Sequence, residues 1–238
     1  MTSYLGLILL TLIASTVGTL TGFGTSTIMV PVLSIFLPLP VTLLFVGIIH
    51  WFNDIWKIIL FKKGFNWKLI LLFGIPGIIA SFLAAKLPIA LPETILERAL
   101  GLFLVLYVAF LFLKPSWKIK ASSSSALLGG TLSGFFSGVF GVGGAVRSTF
   151  LTAFNLDKSV FLFTSGVIGL LIDSARIIQY LLSDITLGFL ITALLLCIPA
   201  SLLGAYIAKK LLDKVSQERF RLYVAAGLFL VGLNYLFL

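Results

Sequence analysis

Charge is scarce in this chain. Asp, Glu, Lys and Arg make up 11% of its 238 residues, against about 25% in an ordinary soluble domain. There is one cysteine, Cys197, and one histidine, His50. A single cysteine excludes an intramolecular disulfide, and its place inside an apolar run reads as a buried, inert thiol. With one histidine, a cysteine/histidine metal centre is excluded, and no metal is expected. No phosphate-binding loop, no dinucleotide fingerprint and no serine–histidine–aspartate arrangement in a credible context occurs. No cofactor and no enzymatic activity are therefore expected.

What the chain has instead is apolar surface. Hydrophobic residues make up 60% and the mean hydropathy is +1.18. A folded globule needs a polar shell, and this composition cannot supply one; the solvent is lipid. In lipid every backbone amide must pair within its own segment, which leaves helices or closed barrels. The apolar runs are continuous over about 20 residues and do not alternate, so the fold class is all-α, a polytopic integral membrane protein. The net charge of +9 does not indicate nucleic acid, because the bases fall in short loops where they encode topology. The N-terminal run from Tyr4 lacks a basic leader and a small-residue cleavage site, and is expected to be a retained membrane segment.

Apolar segments fall at about 4–20, a short piece to 37, then 41–61, 67–87 and 93–113. Basic loops carry Lys62, Lys63 and Lys68, then Lys114, Lys118 and Lys120. Residues 121–125 read as a polar linker. The second half repeats the plan at 126–140, 144–155, 159–182, 186–208 and 219–238. Gly22 and Gly141, Gly24 and Gly143, Asp54 and Asp173, and Lys57 and Arg176 all stand 119 residues apart (141 − 22). Pro76 and Pro199, Lys86 and Lys209, and Arg98 and Arg221 share an offset of 123 (199 − 76). The chain therefore reads as two repeats, 1–120 and 121–238, in one membrane domain, each with one broken segment and three full helices. If the loops at 62–68, 114–120 and 209–221 are all cytoplasmic, each broken segment is a re-entrant hairpin and the repeats are inverted, with both termini outside. If the broken segments cross fully, there are eight crossings and parallel repeats, with the 209–221 cluster outside. The first arrangement is the expectation.

Two features bear on chemistry. The breaks contain Gly22, Gly24, Thr25, Ser26 and Thr27 in the first half, and Gly141, Gly143, Gly144, Ala145 and Arg147 in the second. Non-helical backbone at membrane depth lines a cavity or is buried in protein. A helix starting after such a break presents unpaired N–H groups and partial positive charge, a natural seat for an anion. Paired discontinuous helices mark transporter sites near the midplane. The alternative is close packing by small residues, which suits Gly130, Gly134 and Gly138. The second feature is the ionisable residues within the helices. His50, Asn53, Asp54 and Lys57 share one face of a helix, and Asp173, Arg176 and Gln179 share one in the repeat. Either these are internal ion pairs whose bases snorkel to the interface, or they are cations for an anion with carboxylates for proton coupling. Trp51, Trp56, Trp67 and Trp117 read as interfacial belts.

Gly22-Phe23-Gly24-Thr25 leading to Pro31, the run Ser133–Gly144, Asp173-Ser174-Ala175-Arg176 and the duplicated layout resemble the TauE/SafE family of sulfite exporters over essentially the whole chain. The resemblance implies secondary transport of a small anion, sulfite or a sulfonate-type organosulfur compound, across the cell membrane. Thr25 departs from its repeat partner Gly144, and Arg147 stands where a more apolar helix start is usual. The expected arrangement puts backbone N–H groups near Gly24–Ser26 and Gly143–Ala145 on the anion. Thr25, Ser26 and Thr27 orient it, Arg147, Arg176 and Lys57 balance its charge, and Asp54 and Asp173 hold those bases or shuttle protons. His50, Asn53 and Gln179 complete the network. Alternating access rocks one repeat against the other. The rival is a carrier for a cation or a neutral solute that uses Asp54 and Asp173. The expected partners are the anion and the surrounding lipid, with a homo-oligomer left open.

Overall fold

The computed structural model describes residues 4–62, 64–113 and 119–214, together with Phe229, Gly232, Leu233, Tyr235 and Leu236. Lys63, Lys114, Trp117, Lys118, Arg219 and Arg221 lie outside the described residues. Of the expected segment 219–238, only the five residues just named are described, all of them helical. The described chain is helical throughout, with no strand: α1 Tyr4–Thr21, α2 Thr25–Leu33, α3 Leu39–Leu60, α4 Trp67–Ala84, α5 Leu87–Ala90, α6 Glu93–Leu113, α7 Ser123–Phe140, α8 Gly143–Thr152, α9 Lys158–Leu181 and α10 Leu190–Leu211. Five helical stretches, Tyr4–Thr21, Leu39–Leu60, Trp67–Ala90, Lys158–Leu181 and Leu190–Leu211, are long and apolar enough to cross a membrane. On the outer face of α4, Leu71, Ile75, Ile79 and Leu83 are each more than half exposed at four-residue spacing. Such a stripe belongs in lipid. The protein is a multi-pass integral membrane protein.

Local chemistry moves several boundaries. Helix α7 begins inside the expected linker, because Ser122 and Ser125 form a reciprocal capping box. Asn66 caps α4, its side chain accepting from the Leu69 N–H at 3.1 Å. Helix α10 starts at Leu190 rather than near 186, since the turn before it holds positive φ at Asp184 and Gly188. The tryptophans need a correction. Trp67 is 60% exposed at the start of α4, as an interfacial residue should be. Trp51 and Trp56 instead donate their indole N–H to Ser174 Oγ (2.9 Å) and Ser201 Oγ (3.0 Å) on neighbouring helices. An N–H at membrane depth needs an acceptor, and serines supply it.

Both breaks are the tips of helical hairpins with a long and a short arm. Thr25 Oγ1 reaches back to Ser15 Oγ at 3.4 Å, and Ser133 Oγ donates to the Gly143 carbonyl at 3.0 Å. Each short arm therefore doubles back along its long arm. The long arms pack on full helices from the other half of the chain. Along α4 and α7, Gly130 lies against Phe73, Gly134 against the Gly77 carbonyl and Gly138 against Ser81, so these helices run parallel with backbones in contact. Gly204 of α10 lies against Leu12 to Thr16 of α1, and Ala208 and Leu212 cluster with Leu20, so this pair is parallel too. Between these pairs α3 and α9 run antiparallel: Gly47 lies beside Arg176, His50 beside Asp173, Trp51 beside Ser174 and Asp54 beside Gly169.

Charge separates by end. Lys158 Nζ donates to the Leu212 carbonyl at 3.2 Å, Gly64 lies near Val160, and Leu69 and Ile70 share a cluster with Ala126. These contacts gather Lys62, Lys68, Lys120, Lys158, Lys209, Lys210 and Lys214 at one end, with Asp157 and Asp213 among them. The other end, where Glu93 accepts from the Leu39 N–H, holds Lys86, Glu93, Glu97, Arg98 and Asp184. Hairpin α1–α2 enters and leaves at this mixed end, and hairpin α7–α8 at the lysine end. Replacing Gly134 by Ala forces a methyl against the Gly77 carbonyl and is expected to cost about 1–3 kcal/mol, read as a lower melting temperature of the detergent-purified protein. Gly74→Ala, whose Cβ would meet only Leu171 Cδ1 at 3.4 Å, is expected to leave the melting temperature unchanged.

Candidate functional site

The hairpin tips are built by glycine. Gly22 and Gly24 have φ of 76° and 83°, and Gly141 has 68°, values open to glycine at little cost. The tips meet: a Cβ on Gly144 would strike the Phe23 carbonyl, and one on Gly24 would lie 2.5 Å from His50 Nε2. Thus α2 and α8 begin close together in the interior, next to the middle of α3. Not every expected backbone donor is free. Gly24 N–H donates to the Gly18 carbonyl at 3.1 Å, and Ala145 N–H to the Val142 carbonyl at 3.3 Å. Thr25, Ser26, Gly143 and Gly144 supply the first-turn amides, which lack an intrahelical carbonyl. Thr25, Ser26 and Thr27 are all buried, and neither helix start has a side-chain cap. Thr27 spends its hydroxyl proton on the Phe23 carbonyl at 2.6 Å. Gly143 and Gly144 pack tightly as well as opening α8: a Cβ on Gly143 would overlap the Ser133 carbonyl.

Beside the tips lies a buried ionic cluster. Lys57 Nζ donates to Asp54 Oδ1 at 2.5 Å, and Arg176 Nε to Asp173 Oδ1 at 2.7 Å. These are the two expected i,i+3 pairs. The snorkelling reading is overturned: Lys57 is 2% exposed and Arg176 fully buried, because each carboxylate holds its base inward. His50 links the pairs across the α3–α9 contact, with Nδ1 2.5 Å from Asp173 Oδ2 and 3.8 Å from Asp54 Oδ2. Ser137 Oγ donates to Asp173 Oδ1 at 3.1 Å. Arg147 reaches in from α8 and donates its Nε to Ser165 Oγ at 3.0 Å. Asn53 donates to Thr19 Oγ1 at 3.4 Å, beside the first tip. Gln179 is not part of the cluster; its amide donates to Ser183 Oγ at 3.2 Å near the end of α9.

Several polar atoms in this cluster lack a close hydrogen bond within the protein: His50 Nε2, Arg147 Nη2, Arg176 Nη1 and Nη2, Asp54 Oδ2 and Asn53 Oδ1, although the Tyr180 hydroxyl lies beside the Arg176 guanidinium. Donors predominate. Arg147 Nη2 and Asp54 Oδ2 both face the bare Cα of Gly169, where a Cβ would overlap the carboxylate and lie 2.7 Å from Nη2. Arg176 Nη1 faces the second tip, 3.2 Å from where a Cβ on Gly141 would stand. His50, Asp54 and Asp173 also offer ligand atoms within 4.8 Å of one another, an arrangement that suits a cation. Lys57 and Arg176 each take one of the carboxylate oxygens and His50 Nδ1 faces Asp173 Oδ2, while Asp54 Oδ2 and His50 Nε2 make no close hydrogen bond. Sequence reasoning missed Ser165, Thr19 and Gly169. Gly169 stands 119 residues after His50 (169 − 50), so the repeat register points to it once α3 and α9 are known to pack together.

Asp173→Ala removes the shared acceptor of Arg176, His50 and Ser137 and leaves a guanidinium buried without its carboxylate. A loss of about 3–5 kcal/mol is expected, measured by thermal unfolding. Ser183→Ala, which touches only Gln179, is expected to change stability by under about 0.5 kcal/mol.

A family model described as sulfite exporter TauE/SafE matches residues 7–235. Neither a curated protein nor a solved structure matches the chain significantly.

Proposed function

The chain belongs to the sulfite exporter TauE/SafE family, and on that premise we propose that it is a secondary transporter of a small anion, sulfite or a sulfonate-type organosulfur anion, in the cell membrane. The observation that carries this reading is the excess of buried donors without partners. Arg147 and Arg176 leave three guanidinium nitrogens without a close hydrogen bond, Arg176 Nη1 facing the second tip and Arg147 Nη2 facing Gly169, with the Tyr180 hydroxyl beside Arg176. A buried guanidinium lacking an acceptor is costly. An oxyanion between the tips meets that need with charge-assisted hydrogen bonds. Thr25, Ser26, Gly143 and Gly144 amides, with Lys57 balancing charge, complete the seat. Asp54 and Asp173 keep the bases in place, and proton coupling runs through this network.

The antiparallel α3–α9 contact and the entry of the two hairpins from opposite ends support inverted repeats spanning 1–120 and 121–238. The packing supports moving bodies that differ from the two sequence repeats. Helix α1 holds to α10 and α4 to α7 by backbone-close glycine contacts, so the two sequence repeats are interlocked. One body is α1, α2, α3 and α10; the other is α7, α8, α9 and α4. Alternating access slides these along the α3–α9 seam, where the ionic cluster lies. The cation reading rests on the proximity of His50, Asp54 and Asp173, and is weakened by the three bases around them.

Purified protein in liposomes is expected to carry radiolabelled sulfite. Arg147→Gln is expected to lower that flux about 10- to 100-fold, the equivalent of one charge-assisted hydrogen bond of about 1.5–3 kcal/mol, with folding intact by size-exclusion chromatography. If no small anion moves, and sodium or an amino acid does, the cation or neutral-solute reading replaces this one. For orientation, Lys120→Cys is expected to react with an impermeant thiol reagent only from the cytoplasmic side and Asp184→Cys only from outside. Cys197 is buried and is replaced by alanine in both.

A further inference from the structure

The buried ionic groups do not balance. Among the described residues they are the bases Lys57, Arg147 and Arg176, the carboxylates Asp54 and Asp173, and His50. Three bases against two carboxylates leave one positive charge when His50 is neutral and two when it is protonated. Uncompensated charge at membrane depth is strongly disfavoured, so the loaded site favours an anion whose charge equals this surplus.

We propose that His50 adjusts the site to the charge of the anion: a dianion binds with one proton taken up at His50, and a monoanion binds with His50 neutral. This rests on the anion reading above and adds its charge rule. The proton comes from hydronium on the side from which the anion enters: one O–H bond breaks, leaving water, and one N–H bond forms at a ring nitrogen.

Geometry selects His50 and its Nε2 atom. Asp54 Oδ1 and Asp173 Oδ1 are held by Lys57 and Arg176, and protonating either carboxylate would release a buried base. His50 Nδ1 faces Asp173 Oδ2 at 2.5 Å, so it keeps its hydrogen in both states and donates it there. The atom left to accept the proton is then Nε2, which is buried, makes no hydrogen bond and is aimed at Gly24 in the first tip. Protonation adds one positive charge and one donor where the amides of the α2 first turn begin. The groups around His50 come from every packed element: Asp54 and Lys57 on α3, Asp173, Arg176 and Tyr180 on α9, and Arg147 on α8. Helices α1 and α2 contribute no charged side chain, and the lysines of α10 lie at its membrane end. The counterpart position in the second half is Gly169, so the site has one such group.

The test compares two anions of fixed charge on the full chain in detergent. Sulfate keeps two charges and methanesulfonate one across the range in which histidines titrate, between about pH 5 and 8. Sulfate binding is expected to take up one proton, read with a pH dye in weak buffer, and methanesulfonate binding none. Where His50 is neutral in the free protein, sulfate affinity is expected to fall about tenfold per pH unit as pH rises, the slope of a one-proton linkage. Methanesulfonate affinity is not expected to follow that slope. His50→Gln, which retains a donor toward Asp173, is expected to make the two pH profiles parallel. Equal proton uptake or equal slopes for the two anions in the wild-type protein would overturn the proposal without any variant. A sulfate slope that survives His50→Gln and disappears in Asp54→Asn would move the proton to Asp54 and overturn it as well. Failure of both anions to bind, by contrast, counts against the anion reading itself.

Discussion

Everything else in this structure is arranged around a short ionic relay kept away from water: Lys57 to Asp54, His50 to Asp173, Asp173 to Arg176. A lone charge in a lipid-embedded bundle is expensive, and each of these groups persists because its neighbour is opposite in charge or donates a hydrogen bond. The relay dictates the packing. Gly169 is bare because the Asp54 carboxylate and the Arg147 guanidinium fill the space that a side chain there would occupy. Positive φ at Gly22, Gly24 and Gly141 lets both hairpins turn at depth beside it.

The same cluster gives the transport reading its physical content. Its internal pairs account for one face of Lys57 and of Arg176; Arg176 Nη1 is left facing the second tip, and Arg147 Nη2 faces Gly169 on α9. A scaffold with no ligand would gain by replacing such groups with apolar ones of equal volume, since buried ion pairs are rarely retained for stability alone. The family relationship names the class of solute, and the leftover donors give a reason why an anion would rest here.

Much of this was legible in the sequence. Apolar runs defined the helices, glycine pairs at a fixed offset marked both tips, and the i,i+3 spacing of Asp54 with Lys57 and of Asp173 with Arg176 announced their pairing. What one dimension hid was which helix faces which. His50 looks solitary in sequence and finds its partner 123 residues away. Trp51 and Trp56 looked interfacial because serine acceptors on other helices leave no periodic signal. The small residues at 130, 134 and 138 showed that something packs close, but not that it is α4 in the other half of the chain. Gln179 shares the periodic face of Asp173 yet lies too near the helix end to join the relay.

The interlocking of α1 with α10 also bears on how the molecule is made. A ribosome delivers α1 to the membrane with Thr11 and Ser15 on one face, before α10, which packs on that face through Cys197 and Gly204, exists. Almost the entire polypeptide must be inserted before α10 arrives to close it. Until then the nascent chain needs a substitute, either an insertase or a transient neighbour, and truncated products that stop short of α10 would leave a hydroxyl-lined groove open to lipid, a mark by which membrane quality control can single them out.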